Sequence, residues 1–209
     1  MNQTAANLTI VLALGYKNKQ AMNQHMKYFC FLIALMGSLS MYAQYPLEKV
    51  KVGKAIKILV PENFILMSKA ERIDKYVSTK EPLVMYTSED RLVDFGINLT
   101  NIGWAQGDLE LLKNFYTANI KNLYTEVDFI QQDIKEINGR NYVVFEFTSS
   151  VKDEENVFGG SSSTDKYTYI QYTLYNNQVM LFNFSSPKRL KGKWESAVKE
   201  MMNSAEIDE

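Results

Sequence analysis

Large apolar side chains fall on both faces of Tyr167–Ser186, YTYIQYTLYNNQVMLFNFSS. The stretch predicts two strands closed by Asn176-Asn177, a pair that tolerates the positive φ of a tight mirror-image hairpin turn. That register sets Leu174 against Val179, Tyr172 against Leu181 and Ile170 against Asn183 on one face. Thr173 with Met180, Gln171 with Phe182 and Tyr169 with Phe184 make the other face. An antiparallel strand with one wet side alternates apolar and polar residues. This one does not, so the hairpin is expected near the middle of a sheet with a layer on each side. A sandwich or barrel is the alternative for so apolar a pair.

The remaining pattern supplies the layers. Lys54–Val60 alternates as a strand, with Ile56, Ile58 and Val60 on one face and Pro61 ending it. Ser68-Lys69-Ala70-Glu71 has capping-box spacing and predicts a short helix to about Lys75. Leu83–Thr87 and Arg91–Asn101 read as strands, the second placing Val93, Phe95, Ile97 and Leu99 on one face. Asp108 is the expected N-cap of a helix over 109–124, whose stripe is Leu112, Phe115, Tyr116, Ile120 and Leu123. Asn138-Gly139 joins Asp128–Ile137 to Asn141–Ser149 in a second hairpin. Ile134 is expected against Val143 and Ile130 against Phe147, with Lys135, Asp133, Gln131 and Glu146 on a wetter face. Leu190, Trp194, Ala197, Val198 and Met201 trace a last amphipathic helix starting near Gly192. Lys152–Lys166, acidic and then Gly/Ser-rich, reads as an exposed loop. Helices interspersed with antiparallel strands predict an α+β fold, a central antiparallel β-sheet with helices packed on both faces.

The N-terminus divides the chain. Met26-Lys27-Tyr28, the apolar run Phe29–Met36 and the small exit residue Ala43 have the order of a secretory signal peptide. The run is shorter than the roughly 20 residues of a membrane anchor. Residues 26–43 are therefore expected to be removed near Ala43-Gln44, leaving 44–209 as a single exported domain, periplasmic or secreted. Residues 1–25 precede a normal signal start and read as an over-extended start at Met1 or a long leader.

Composition narrows the chemistry. The full chain of 209 residues is 46% hydrophobic with a net charge of −1. Removing residues 1–43 takes Lys17, Lys19 and Lys27 and no acid, so the mature charge is −4. It also takes His25 and Cys30, the only histidine and cysteine. A chain without either cannot host a Ser-His-Asp triad, a cysteine nucleophile, a Cys/His zinc site or a disulfide. There is no basic block for nucleic acid and no stable membrane insertion is expected once the signal is gone. Gly159-Gly160-Ser161 lacks the strand context of a phosphate loop.

Carboxylates remain. Asp153, Glu154, Glu155 and Asp165 border the acidic loop and are the weak candidates for a calcium-like ion, although their spacing is not that of an EF-hand. Of the aromatic residues, Tyr167, Tyr169, Tyr172 and Tyr175 read as core and sheet-surface residues and Trp194 as core, and Trp104 is the one less committed. The triplets Asn98-Leu99-Thr100 and Asn183-Phe184-Ser185 fall in predicted strands and are discounted as glycosylation sites.

Val60-Pro61-Glu62-Asn63-Phe64 resembles the Pro-x-x-aromatic opening of PsbP-like domains. Phe182-Asn183-Phe184-Ser185-Ser186-Pro187, followed by Trp194, Val198, Met201 and Ser204, resembles their ending. The resemblance runs over about residues 50–208. This fold group also holds the Ran-binding Mog-type proteins. It implies an α/β/α sandwich and a non-enzymatic binding or assembly role, with no catalytic residue, cofactor or metal ligand carried over. The expectation is an exported, non-catalytic binding or adaptor protein acting on a protein partner. A small-ligand or Ca/Mn-binding periplasmic protein is the alternative, and a carboxylate-based hydrolase the second.

Overall fold

The computed structural model describes residues 45–76, 81–104, 107–152 and 163–208. The chain divides into two compact units, Met1–Gln44 and Tyr45–Glu209, and every described residue belongs to the second. The expected signal peptide lies outside the described residues.

Among the described residues ten strands and three helices follow one another: β1 Leu47–Val52, β2 Ile56–Pro61, β3 Phe64–Leu66, α1 Lys69–Lys75, β4 Val84–Ser88, β5 Asp94–Gly103, α2 Leu109–Leu123, β6 Glu126–Ile137, β7 Arg140–Lys152, β8 Ser163–Tyr175, β9 Gln178–Pro187, α3 Lys191–Asn203 and β10 Glu206–Ile207. A seven-stranded antiparallel sheet runs β3-β4-β5-β9-β8-β7-β6, and a three-stranded one runs β1-β2-β10.

The central hairpin is β8–β9, fourth and fifth in the large sheet, and all six predicted cross-strand pairs are observed. Asn176 and Asn177 close it with φ of 50° and 59°. Its faces meet different layers. On one, Tyr167, Tyr169, Met180, Phe182 and Phe184 join Phe95, Ile97, Tyr142 and Val144 under Trp194, Ala197, Val198 and Met201 of α3. Ile56, Ile58 and Val60 of the small sheet complete that layer. On the other face, Val143, Phe145, Phe147, Tyr172, Leu174 and Val179 lie under Leu112 and Ile120 of α2. This is the expected α+β architecture, a central antiparallel sheet covered on both sides.

Local signals explain most boundaries. Ser68 caps α1, accepting from the Glu71 amide while Glu71 accepts from the Ser68 amide at 2.7 Å. The α2 start is placed as expected, but Asp108 makes no side-chain cap bond and only its carbonyl accepts, from the Leu112 amide. The last helix begins at Lys191 after a 3-10 turn over Lys188–Leu190.

Three sequence expectations are corrected, and three short strands are added. Phe147 pairs with Phe129, not Ile130, because a bulge between Phe129 and Gln131 expels Ile130 from the ladder and leaves it 46% exposed. Glu146 does share a face with Asp133 and Lys135, but that face is dry where α3 covers it, and Glu146 is 1% exposed. Ser163–Lys166 is strand, because the β7–β8 ladder continues to Lys152 opposite Ser163. Strands β1, β3 and β10 were not read from the sequence, β3 and β10 being only three and two residues long, and they pair only with β2 and β4.

Candidate functional site

The chemistry open to the described residues is set by where their charges end up. Asp94, buried at the start of β5, takes Lys75 Nζ at 2.6 Å and the Tyr76 hydroxyl. Burial, then the hydrogen bond to Asp94 and its charge, push the Tyr76 phenol far above its ordinary value. Glu146 accepts from the Tyr167 hydroxyl at 2.9 Å and lies 3.3 Å from Lys199 Nζ. Lys199 also contacts Glu195 at 2.7 Å, and Lys191 contacts the same carboxylate at 2.6 Å. These groups neutralise one another within the fold, and of them Lys75 alone borders a cavity.

A cavity of about 350 Å³ beside α1 is lined by Met67, Glu71, Asp74, Lys75, Thr87 and Arg91. Glu71 there serves the cap and an ion pair with Arg91 at 3.1 Å. The Ser68 hydrogen bonds hold its carboxyl below its usual value, the opposite of what a general acid needs.

Of the ion candidates, Asp153, Glu154 and Glu155 lie outside the described residues. Asp165 stands in β8 opposite Ser150, whose hydroxyl donates to it at 2.8 Å. Among the described residues no three acidic, histidine or cysteine side chains gather as metal ligands.

The feature that is built but unused lies beside α2. Tyr116 and Ile120, four residues apart, lie on the side of α2 that meets the sheet, and Leu123 follows them at the open end of the same stripe. With Asn119, Asn122, Tyr124, Phe147, Ile170 and Tyr172 they enclose a groove of about 360 Å³. Tyr116 stacks on Tyr172 with ring centroids 3.8 Å apart and planes 19° apart, which fixes the helix over β8. Burial pushes the Tyr116, Tyr124 and Tyr172 phenols above their ordinary values, so all three are neutral at physiological pH. No lining residue is charged.

The helix is not sealed against the sheet along this flank. Leu123, expected within the buried stripe, is 70% exposed, and Phe115 and Leu111 are also open. Phe115 rests on Trp104 with centroids 5.8 Å apart, and the Trp104 amide donates to Asn177 O of the central turn at 3.1 Å. Trp104 is half-buried, its Nε1 without a hydrogen-bond partner among the described residues. Periodicity identified Leu123 and Phe115 as apolar stripe residues. Their exposure depends on how far the sheet reaches under the helix, for which local sequence carries no signal.

No protein-family model matches the chain, and no curated protein does. Among solved structures, cyanobacterial PsbP (CyanoP) from Synechocystis sp. PCC 6803 aligns with 78% of this chain and 93% of its own, at 13% identity and a TM-score of 0.55. The Saccharomyces cerevisiae Ran-binding protein Mog1p aligns with 78% of this chain and 96% of its own, at 15% identity and a TM-score of 0.47. LpqN, involved in cell envelope biogenesis of Mycobacterium tuberculosis, aligns with 78% and 91%, at 11% identity and a TM-score of 0.43. The chain has a PsbP-like fold, as its opening and ending motifs implied. At these identities the likeness is one of fold.

Proposed function

We propose that the mature chain is an exported, non-catalytic binding or adaptor module that takes a protein partner through the groove beside α2. The carrying observation is the groove itself, uncharged and aromatic-walled, with Leu123 and Phe115 left open on the same helix. A connected apolar surface of this kind on a globular protein marks an interaction site. Its lining selects the partner. An apolar side chain fits between Tyr116, Phe147 and Ile170, and the Asn119 and Asn122 amides at the rim suit a neutral polar backbone or amide. A charged ligand would have no counter-charge there. The fold shared with PsbP and the absence of histidine and cysteine from residues 44–209 support a role without catalysis.

Export is part of this reading. The second compact unit begins at Tyr45, one residue after the proposed mature N-terminus at Gln44. Among the described residues no helix is long and apolar enough to cross a membrane. Residues 26–43 are the proposed signal, and a periplasmic or secreted location follows from it.

A photo-crosslinking residue placed at Asn119 tests the groove in cells. The expected result is a discrete adduct that Leu123→Asp abolishes without lowering the thermal midpoint. Only uncrosslinked monomer, or an adduct indifferent to Leu123→Asp, would overturn it.

A further inference from the structure

β6 closes one side of the seven-stranded sheet, with β7 on its inner side and no described strand on its outer side. At 12 residues it is long for an edge. An edge strand presents a row of backbone N–H and C=O groups ready to pair with another chain. Charge along this edge is one-sided. Glu126, Asp128, Asp133 and Glu136 are exposed, and Lys135 is the only cation of the strand, a net of −3. Glu126, Asp128 and Asp133 stand in register with Ser150, Thr148 and Val144, alternate positions of β7, so the three carboxylates share one face. At the start of the strand a polar pocket of about 220 Å³ is lined by Glu126, Asp128, Thr148 and Ser150, with Lys188 as its single cation. Ile130, expelled at the bulge, adds one exposed apolar side chain near the middle.

We infer that β6 is a docking edge for an extended basic segment of a partner protein, which adds as an eighth strand with Lys or Arg at alternate positions against Asp128 and Asp133. Charge decides the occupant. Two copies pairing edge to edge would bring −3 against −3, and like charges across a ladder are destabilising. A basic strand meets the same edge with opposite charges and open backbone groups together. This inference shares with the groove only the premise that the module binds protein. It places contact on the opposite side of β7, so the two surfaces can serve different partners.

The competing explanation is that the carboxylates merely keep strands away from an exposed edge. The probes are an extended peptide alternating lysine with valine, and the same peptide N-methylated at alternate amides, which keeps the charge but blocks pairing. The expected result is that the unblocked peptide binds at least several-fold more tightly than the N-methylated one and shifts backbone amide resonances within 126–137. Asp128→Asn with Asp133→Asn should weaken it about tenfold, taking up to about fivefold per exposed ion pair. Both residues are exposed, so the thermal midpoint should hold. Leu123→Asp should leave peptide binding unchanged, which separates this edge from the groove. Equal binding of the N-methylated peptide would reduce the edge to charge attraction and overturn the inference. So would no binding of either peptide, or resonance shifts confined to the groove.

Discussion

Glu146 sits on the α3 face of β7 with 1% of its surface exposed. A carboxylate so placed persists only if it is paired and hydrogen-bonded. Tyr167 donates to it and Lys199 lies 3.3 Å away. Lys199→Met is expected to cost about 1–3 kcal/mol, below the range for a fully buried pair because the lysine is 40% exposed. Urea unfolding reads this directly. Beside it, hydrogen bonds from Lys191 and Lys199 hold the Glu195 carboxyl down, from 4.5 to about 2. A depressed carboxyl contributes stability above its unfolded value and loses it as pH falls toward the folded one. Stability should therefore decline from about pH 5 to pH 2, and Glu195→Gln should flatten that decline. An unchanged pH profile in Glu195→Gln would sink the assignment.

At the scale of elements, the two asparagine turns set the registers. Asn177 has φ 59°, an angle that glycine adopts without steric cost. Asn177→Gly is expected to be neutral or stabilising by a few tenths of a kcal/mol, whereas Asn177→Val should cost about 1–2 kcal/mol. Asn138 does more than turn. Its amide donates to Asn203 O and Ala205 O, tying the β6–β7 turn to the end of α3. Asn138→Ala should cost about 1–2 kcal/mol through those carbonyls, a larger loss than its solvent-exposed position suggests. Chemical denaturation midpoints check all three variants. The β6–β7 pairing also marks a limit of pattern reading. Ile134 against Val143 follows from counting outward from Asn138-Gly139, but counting fails beyond Gln131, where Ile130 leaves the ladder. A bulge adds one residue to one strand only, and no local residue preference announces it.

For the whole molecule, the two covering layers were visible as the apolar stripes of α2 and α3, while the third component of the α3 layer was not. The small sheet exists because β1 and β10, with few apolar positions of their own, pair with opposite edges of β2. The Leu59 amide donating to Ser204 Oγ at 2.8 Å and the Lys57–Asp208 ion pair at 2.9 Å join chain segments far apart in sequence. Export belongs to this scale too. Ala43→Phe is expected to remove the small residue needed at the proposed junction, so uncut precursor should accumulate. Intact-mass analysis would show it, and unchanged processing would move the junction elsewhere.

Residue patterning alone determined the central hairpin, down to its six pairs, because a two-residue turn at Asn176-Asn177 fixes which positions face one another, and the apolar groups on both faces place the pair inside the sheet. It determined the fold class and the lack of histidine and cysteine in residues 44–209, since both are properties of local order and composition. Tertiary structure decided the rest. Leu123 and Phe115 are open because no described segment covers them, and Glu146 is dry because Lys199 of α3 and Tyr167 close over it. The acids of β6 border an open edge because no described strand follows it in the sheet. Each of these depends on what a distant segment covers, and a residue's own neighbours in sequence do not carry that information.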